Sequence, residues 1–160
     1  MRKPVVALVG RPNVGKSTLF NRLANERLAV VDDIPGTTRD RIMAETDWGG
    51  ITFHIVDTGG IDPTQTGPGK AQEPLSVGSS DFIDEIRYQA EIAIREADAV
   101  LFLTDVQNGV TPADLEVAQI LRRYQKDLND QPWTPVFLVV NKCESRSRRD
   151  DVYQFYELGM

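Results

Sequence analysis

Lys16 and Ser17 close the run Gly10-Arg11-Pro12-Asn13-Val14-Gly15-Lys16-Ser17, which fits G-x-x-x-x-G-K-[ST], the spacing of a phosphate-binding loop. The chemistry follows from the residue types. Glycines let the backbone curl until N–H groups of Asn13, Val14, Gly15, Lys16, Ser17 and Thr18 can point at phosphate oxygens. The start of the following helix adds partial positive charge. The Lys16 ammonium is expected against the β- and γ-phosphates, and the Ser17 hydroxyl on Mg²⁺. A chance match in a loop is the competing reading, and the flanks argue against it. Pro4-Val5-Val6-Ala7-Leu8-Val9 is a continuous apolar run, as in a buried parallel strand, and Thr18 to Leu23 carries apolar residues at helical spacing. The loop alone says nucleotide, not which one.

Three more segments narrow the choice. Asp57-Thr58-Gly59-Gly60 matches D-x-x-G: an Asp at a strand end can hold Mg²⁺ through water, and the Gly60 N–H can approach a γ-phosphate. A plain strand-end turn would explain it equally well in isolation. Behind a phosphate loop, the functional reading is preferred. Asn141-Lys142-Cys143-Glu144 approximates N-K-x-D. An acidic side chain accepts from guanine N1–H and its exocyclic amine, whereas adenine presents an acceptor at N1. The Lys142 methylenes can pack on the base face. Glu144 is one methylene longer than Asp, so those bonds must be re-aimed. Pro35-Gly36-Thr37-Thr38-Arg39-Asp40 offers a threonine that can complete a Mg²⁺ shell when a γ-phosphate is present.

Elements must carry these groups to one place. Two β-like runs, about 41–48 and 51–57, flank Gly49-Gly50 and predict an antiparallel hairpin, with lone His54 read as a strand-face residue. Residues 62–80, rich in Pro, Gly and Ser, predict a flexible loop. Helical spacing resumes from Asp81, taken as an N-cap, through Ile86, Ala90, Ala93, Ile94 and Ala97. Ala99 to Leu103 reads as a buried strand. Thr111-Pro112-Ala113-Asp114 opens a helix to about Leu128, and Pro135 to Val140 gives a further strand. The sum is a three-layer α/β fold, mostly parallel, with one antiparallel pair.

Composition sets outer limits. A chain of 160 residues, 41% hydrophobic and 26% charged, has the makings of one globular domain. No apolar run nears the ~20 residues of a membrane span, and Met1-Arg2-Lys3 passes straight into the first strand, so no membrane partner, signal or transit peptide is expected. A single cysteine, Cys143, excludes an internal disulfide, fits a reducing, cytoplasmic setting, and reads as a packing residue rather than a reactive thiol. The net charge of −6 argues against a broad nucleic-acid surface. Arg146, Arg148 and Arg149 read as a solvated loop before a local basic patch.

Taken together, Gly10 to Asn21, Pro35 to Arg41 and Asp57 to Ile61 resemble the bacterial TrmE–Era–EngA–YihA–Septin group of P-loop GTPases. Within it, the chain is most similar to the first GTPase domain of the EngA family, tandem GTPases of ribosome biogenesis. The likeness extends through Asp105 to Asp114 and the terminal Phe155-Tyr156-Glu157-Leu158-Gly159. It implies GTP hydrolysis with Mg²⁺ on Ser17, Thr38 and Asp57, and Lys16, Thr38 and Gly60 as the catalytic set. It places Thr38, rather than Thr37, on the metal, and Asn13 where such loops offer an amide oxygen to K⁺ in place of an arginine finger. Ile61 stands where related enzymes carry a water-orienting Gln, so slow intrinsic turnover is expected; a GTP/GDP-gated interaction module with negligible hydrolysis is the alternative, and an ATP-using kinase is disfavoured by Asn141 to Glu144. The implied partner is a large-subunit ribosomal particle, in bacterial cytoplasm or a plastid stroma. Against that pattern, the 62–80 loop is long. The chain also ends before the Ser-Ala element and the last strand and helix of such domains, and so reads as a fragment of a longer protein.

Overall fold

The computed structural model describes residues 2–24, 42–58, 80–127 and 134–160. The expected hairpin is there: β2 (Ile42–Trp48) pairs antiparallel with β3 (Ile51–Asp57) through Gly49 and Gly50, both left-handed at φ 60° and 80°. Two successive positive φ values fit the tight turn whose twist matches the flanking strands. The remaining strands, β1 (Val5–Val9), β4 (Ala99–Asp105) and β5 (Val136–Asn141), run parallel with β3, in the order β2-β3-β1-β4-β5. Central β1 is apolar throughout because both of its faces are covered.

Alternation along the strands sorts the core into two layers. Ala7, Val9, Val100 and Phe102 pack with Ile86, Ala90 and Ala93 of α2 (Ser80–Glu96) and Val117, Ala118 and Leu121 of α3 (Pro112–Asp127). Leu8, Ile55 and Leu103 point the other way, onto Phe20 and Ala24 of α1 (Lys16–Ala24). A sheet with helices on both faces is the three-layer architecture the pattern predicts. Each fully buried Val, Leu or Phe side chain in it contributes roughly 1.5–3 kcal/mol.

The starts of α3 and α2 differ in how their first backbone groups are met. At α3, the Thr111 hydroxyl accepts from the Asp114 N–H at 3.3 Å while Asp114 accepts from the Thr111 N–H at 3.0 Å, so each end satisfies the other's orphan donor. At α2 the helix begins at Ser80, which places Asp81 inside the first turn rather than at the cap. The C-terminal segment was not anticipated as an element. It forms a 3₁₀ helix, Asp150–Leu158, that buries Phe155 and Leu158 beside half-buried Val152 on the α2/α3 face. Those three recur every third residue, the period of a 3₁₀ turn. A search at helical or strand period passes over that spacing.

Candidate functional site

The parallel register brings the chemistry-bearing residues to one edge of the sheet. Leu8 of β1 lies beside Asp57, the last residue of β3, and Asp105, the last of β4, lies beside Asn141, the last of β5. Gly10 therefore leaves β1 level with two aspartates and an asparagine. The helix after β1 lies on one face and the helices after β3 and β4 on the other. The chain thus changes direction beside β1, where an open α/β sheet forms its ligand crevice.

Lys16 is buried, 7% exposed, at the first turn of α1. Its Nζ donates to the carbonyls of Gly10 at 2.5 Å and Arg11 at 2.9 Å, so the loop is wrapped around its own ammonium. The Ser17 hydroxyl donates to Asp57 Oδ2 at 3.0 Å, joining two of the predicted metal residues from different elements. Next to Asp57, buried Thr58 donates its hydroxyl to the Leu8 carbonyl at 2.6 Å. Asn13, half of the predicted K⁺ argument, is exposed and left-handed at φ 67°, a conformation Asn tolerates better than most residues.

The base motif is tied to the same loop. Asn141 Nδ2 donates to the Val14 carbonyl at 2.9 Å, and a Cβ on Gly15 (φ 103°) would overlap that amide, so this position requires glycine. Lys142 is itself left-handed at φ 64°. Its Nζ reaches the Asn13 carbonyl at 2.9 Å and Asp105 Oδ2 at 2.6 Å, contacts that offset the backbone strain. Glu144 lies beyond β5 with an exposed side chain. Thr38, Gly60, Ile61 and residues 62–79 lie outside the described residues.

Two aspartates that motif reading passed over brace this arrangement. Asp105 is buried, which alone would raise its pKa; the Lys142 ammonium and the Gln107 N–H outweigh that, and it lies below the usual carboxylate value. Its stabilising contribution is thus complete above the ordinary pKa near 3.8 and fades as pH falls from there through the lower folded value. Asp105→Asn should cost about 1–3 kcal/mol near neutrality and lose that penalty at acid pH, read from urea unfolding of both proteins between pH 7 and pH 3. The second aspartate, Asp114, has no side-chain exposure and pairs with Arg11 Nε at 3.2 Å. Strand-end and helix-start positions were the available signals for both.

A cleft of about 460 Å³ opens on the loop, lined by Gly10, Pro12, Asn13 and Gly15 to Thr18, by Lys142 and, from α2, by Ile86 and Gln89. Gln89 is buried, and it was missed because α2 reads as a plain core helix. Its signal was a polar side chain between Ile86 and Ala90 on the apolar stripe. Cys143 is held neutral: burial, then the charges of Glu144 and Asp105, push its thiol up against the opposing pull of Arg148. That agrees with a packing role. His54 sits mid-strand opposite Glu45, away from the strand ends, and Arg146 and Arg149 are exposed around a 3₁₀ turn. No described helix is long and apolar enough to cross a membrane.

Known proteins carry the same pattern. The family described as "50S ribosome-binding GTPase" matches residues 5–142. A GTPase Der of Ligilactobacillus salivarius is 50% identical over 99% of this chain, and one of Limosilactobacillus fermentum is 51% identical over 100% of it. The chain spans about a third of their length, 31% and 32%. Among solved structures, a variant of Aquifex aeolicus Era bound to GDP and AlF4⁻ superposes with a TM-score of 0.56 and 27% identity, over 98% of this chain and 48% of that one. Era in complex with MgGDPNP and a 16S ribosomal RNA segment gives a TM-score of 0.56 at 26% identity, over 99% and 47%.

Proposed function

The chain belongs to the 50S ribosome-binding GTPase family, and from that premise we propose that it binds GTP in the cleft at the strand ends and hydrolyses it slowly to GDP and phosphate. The observation that carries this reading is convergence. Lys16, Ser17, Asp57, Asn141 and Lys142, from three segments, are all hydrogen-bonded to or within the phosphate-binding loop, and the cleft opens on that loop. Loop N–H groups from Asn13 to Thr18 and the Lys16 ammonium hold the β- and γ-phosphates, and Gly60 donates to the γ-phosphate. Glu144 accepts from the guanine edge, with the Lys142 stem along the base.

The residues present fit a hard divalent cation. Ser17 Oγ and Asp57 Oδ2 are adjacent oxygen donors, and no described cluster of three or more His, Cys, Asp or Glu competes for a metal. That leaves a partial shell for phosphate oxygens to complete, the usual arrangement for Mg²⁺. Ser17, Asp57 and Thr38 are the residues that would hold Mg²⁺, and the ion would neutralise charge on the β- and γ-phosphates. Asn13 is the residue that would hold K⁺ at the loop. The chain itself orients: Lys16 is held between the Gly10 and Arg11 carbonyls, and loss of the γ-phosphate removes the contacts proposed for Thr38 and Gly60. In the full-length protein these states gate association with a large-subunit ribosomal particle in the cytoplasm.

The test pairs affinity with turnover. GTP and GDP should displace a fluorescent guanine nucleotide at least about 100-fold better than ATP, because a mismatched base edge leaves Glu144 unpaired. ATP binding equal to GTP would remove the base assignment. Single-turnover hydrolysis at saturating protein should run faster in KCl than in NaCl, and Asn13→Ala should erase the difference. No hydrolysis in either salt would favour the gated module, for which Ile61 in place of a water-orienting amide is the motivating residue.

A further inference from the structure

We infer that Arg11 and Asp114 form a buried strut that positions the phosphate-binding loop, which makes both of them positioning residues for nucleotide retention; the inference rests on the GTP-binding reading above. The Asp114 side chain has no exposure and that of Arg11 only 12%. Arg11 Nε reaches both carboxylate oxygens, at 3.2 and 3.4 Å. The carboxylate cannot follow a moving loop, because Oδ2 also accepts from the Thr111 N–H at 3.0 Å and its hydroxyl at 2.8 Å. Asp114 is thereby fixed in the first turn of α3, and α3 is packed into the main core through Val117, Ala118 and Leu121.

At the loop end, the strut holds the residue that holds the lysine. The Arg11 carbonyl accepts from Lys16 Nζ at 2.9 Å, so pinning the Arg11 side chain restrains the peptide that aims the ammonium. Two residues further on, the Asn13 carbonyl is held by Lys142, itself tied to Asp105. The loop is therefore gripped at residues 11 and 13 from opposite ends of the connection between β4 and α3. Neither Arg11 nor Asp114 lines the cleft, so both act on the proposed site from outside it.

Stability alone explains the pair poorly. A buried ion pair often does no better than apolar residues of the same size. This one also leaves Arg11 Nη2 buried and without a hydrogen-bond partner among the described residues. Fixed geometry is what such a pair supplies, and a site that binds a polyanion through backbone N–H groups gains from having them already aimed.

The experiment follows GDP dissociation from the whole chain by chase of a fluorescent analogue, alongside thermal unfolding without nucleotide. Arg11→Gln leaves the Thr111–Asp114 cap in place and should speed dissociation about tenfold, the scale on which supporting contacts of a binding site act. Asp114→Asn, whose amide oxygen still accepts from Thr111, should speed it similarly, and the double variant should be no faster than either single one. Dissociation within twofold of the parent in Arg11→Gln, whatever happens to its unfolding temperature, overturns the strut, as does strict additivity in the double variant. If Arg11→Gln fails to fold, Arg11→Lys decides, since it keeps the charge and loses the Nε–H that meets the carboxylate: an increase of threefold or more supports the strut, and less overturns it. A parent chain that binds no guanine nucleotide overturns the functional reading and the strut's role with it.

Discussion

Lys16→Ala is expected to weaken GTP and GDP binding by about 100- to 1,000-fold, the largest loss of any single truncation in this chain. Two charge-assisted bonds to phosphate oxygens, at roughly 1.5–3 kcal/mol each, give about 3–6 kcal/mol; giving up the bonds to the Gly10 and Arg11 carbonyls offsets part of that, and the remaining ~3–4 kcal/mol is two to three factors of ten at 1.4 kcal/mol each. The resting geometry shows why no neighbour can substitute. Lys16 is 7% exposed and its donors already sit on the Gly10 and Arg11 carbonyls, inside the curl through which the phosphates must pass. Removal also leaves those two carbonyls unpaired in the empty loop, so a fall in stability of about 1–3 kcal/mol accompanies the loss of affinity. Lys16→Arg should not rescue binding, because a planar fork cannot occupy the space of a compact ammonium. Titration of a fluorescent GDP against each variant reads the result, and a loss under about fivefold for the alanine variant would deny Lys16 its phosphate contact.

The fold and half of the site were legible in the sequence for one shared reason: they depend on local pattern. Gly49-Gly50 forces a turn, Val5 to Val9 has the apolar run of a strand covered on both faces, and Gly10 to Ser17 is a contiguous loop whose spacing is its chemistry. The braces were not legible, because each depends on pairing across the sheet. Nothing local to Arg11 says that its partner lies 103 residues later, and nothing local to Lys142 says that Asp105 awaits it across the β4–β5 register. The terminal 3₁₀ helix escaped for a different reason. Its apolar stripe at Val152, Phe155 and Leu158 has a period of three, and it forms because the α2/α3 face offers those side chains a place to pack.

The same cross-sheet logic gives Asp57→Asn a distinctive expected outcome. Asp57 is 3% exposed and accepts from Ser17, so an asparagine of the same shape keeps the bond through its amide oxygen and leaves the packing unchanged. What it removes is a full negative charge at the point where β3 meets the loop. Under the proposed mechanism that charge holds Mg²⁺ against the phosphates, so hydrolysis should fall about 100- to 1,000-fold, equivalent to the several kcal/mol a correctly placed cation contributes. The Mg²⁺ concentration giving half-maximal rate should rise at least tenfold. GDP affinity measured in EDTA should move the other way or not at all, since a carboxylate beside phosphates repels them when no cation intervenes. This opposition separates a metal role from a structural one. A residue that merely shaped the loop would lower affinity with and without Mg²⁺ alike, and an unchanged Mg²⁺ requirement in Asp57→Asn would take the metal away from Asp57.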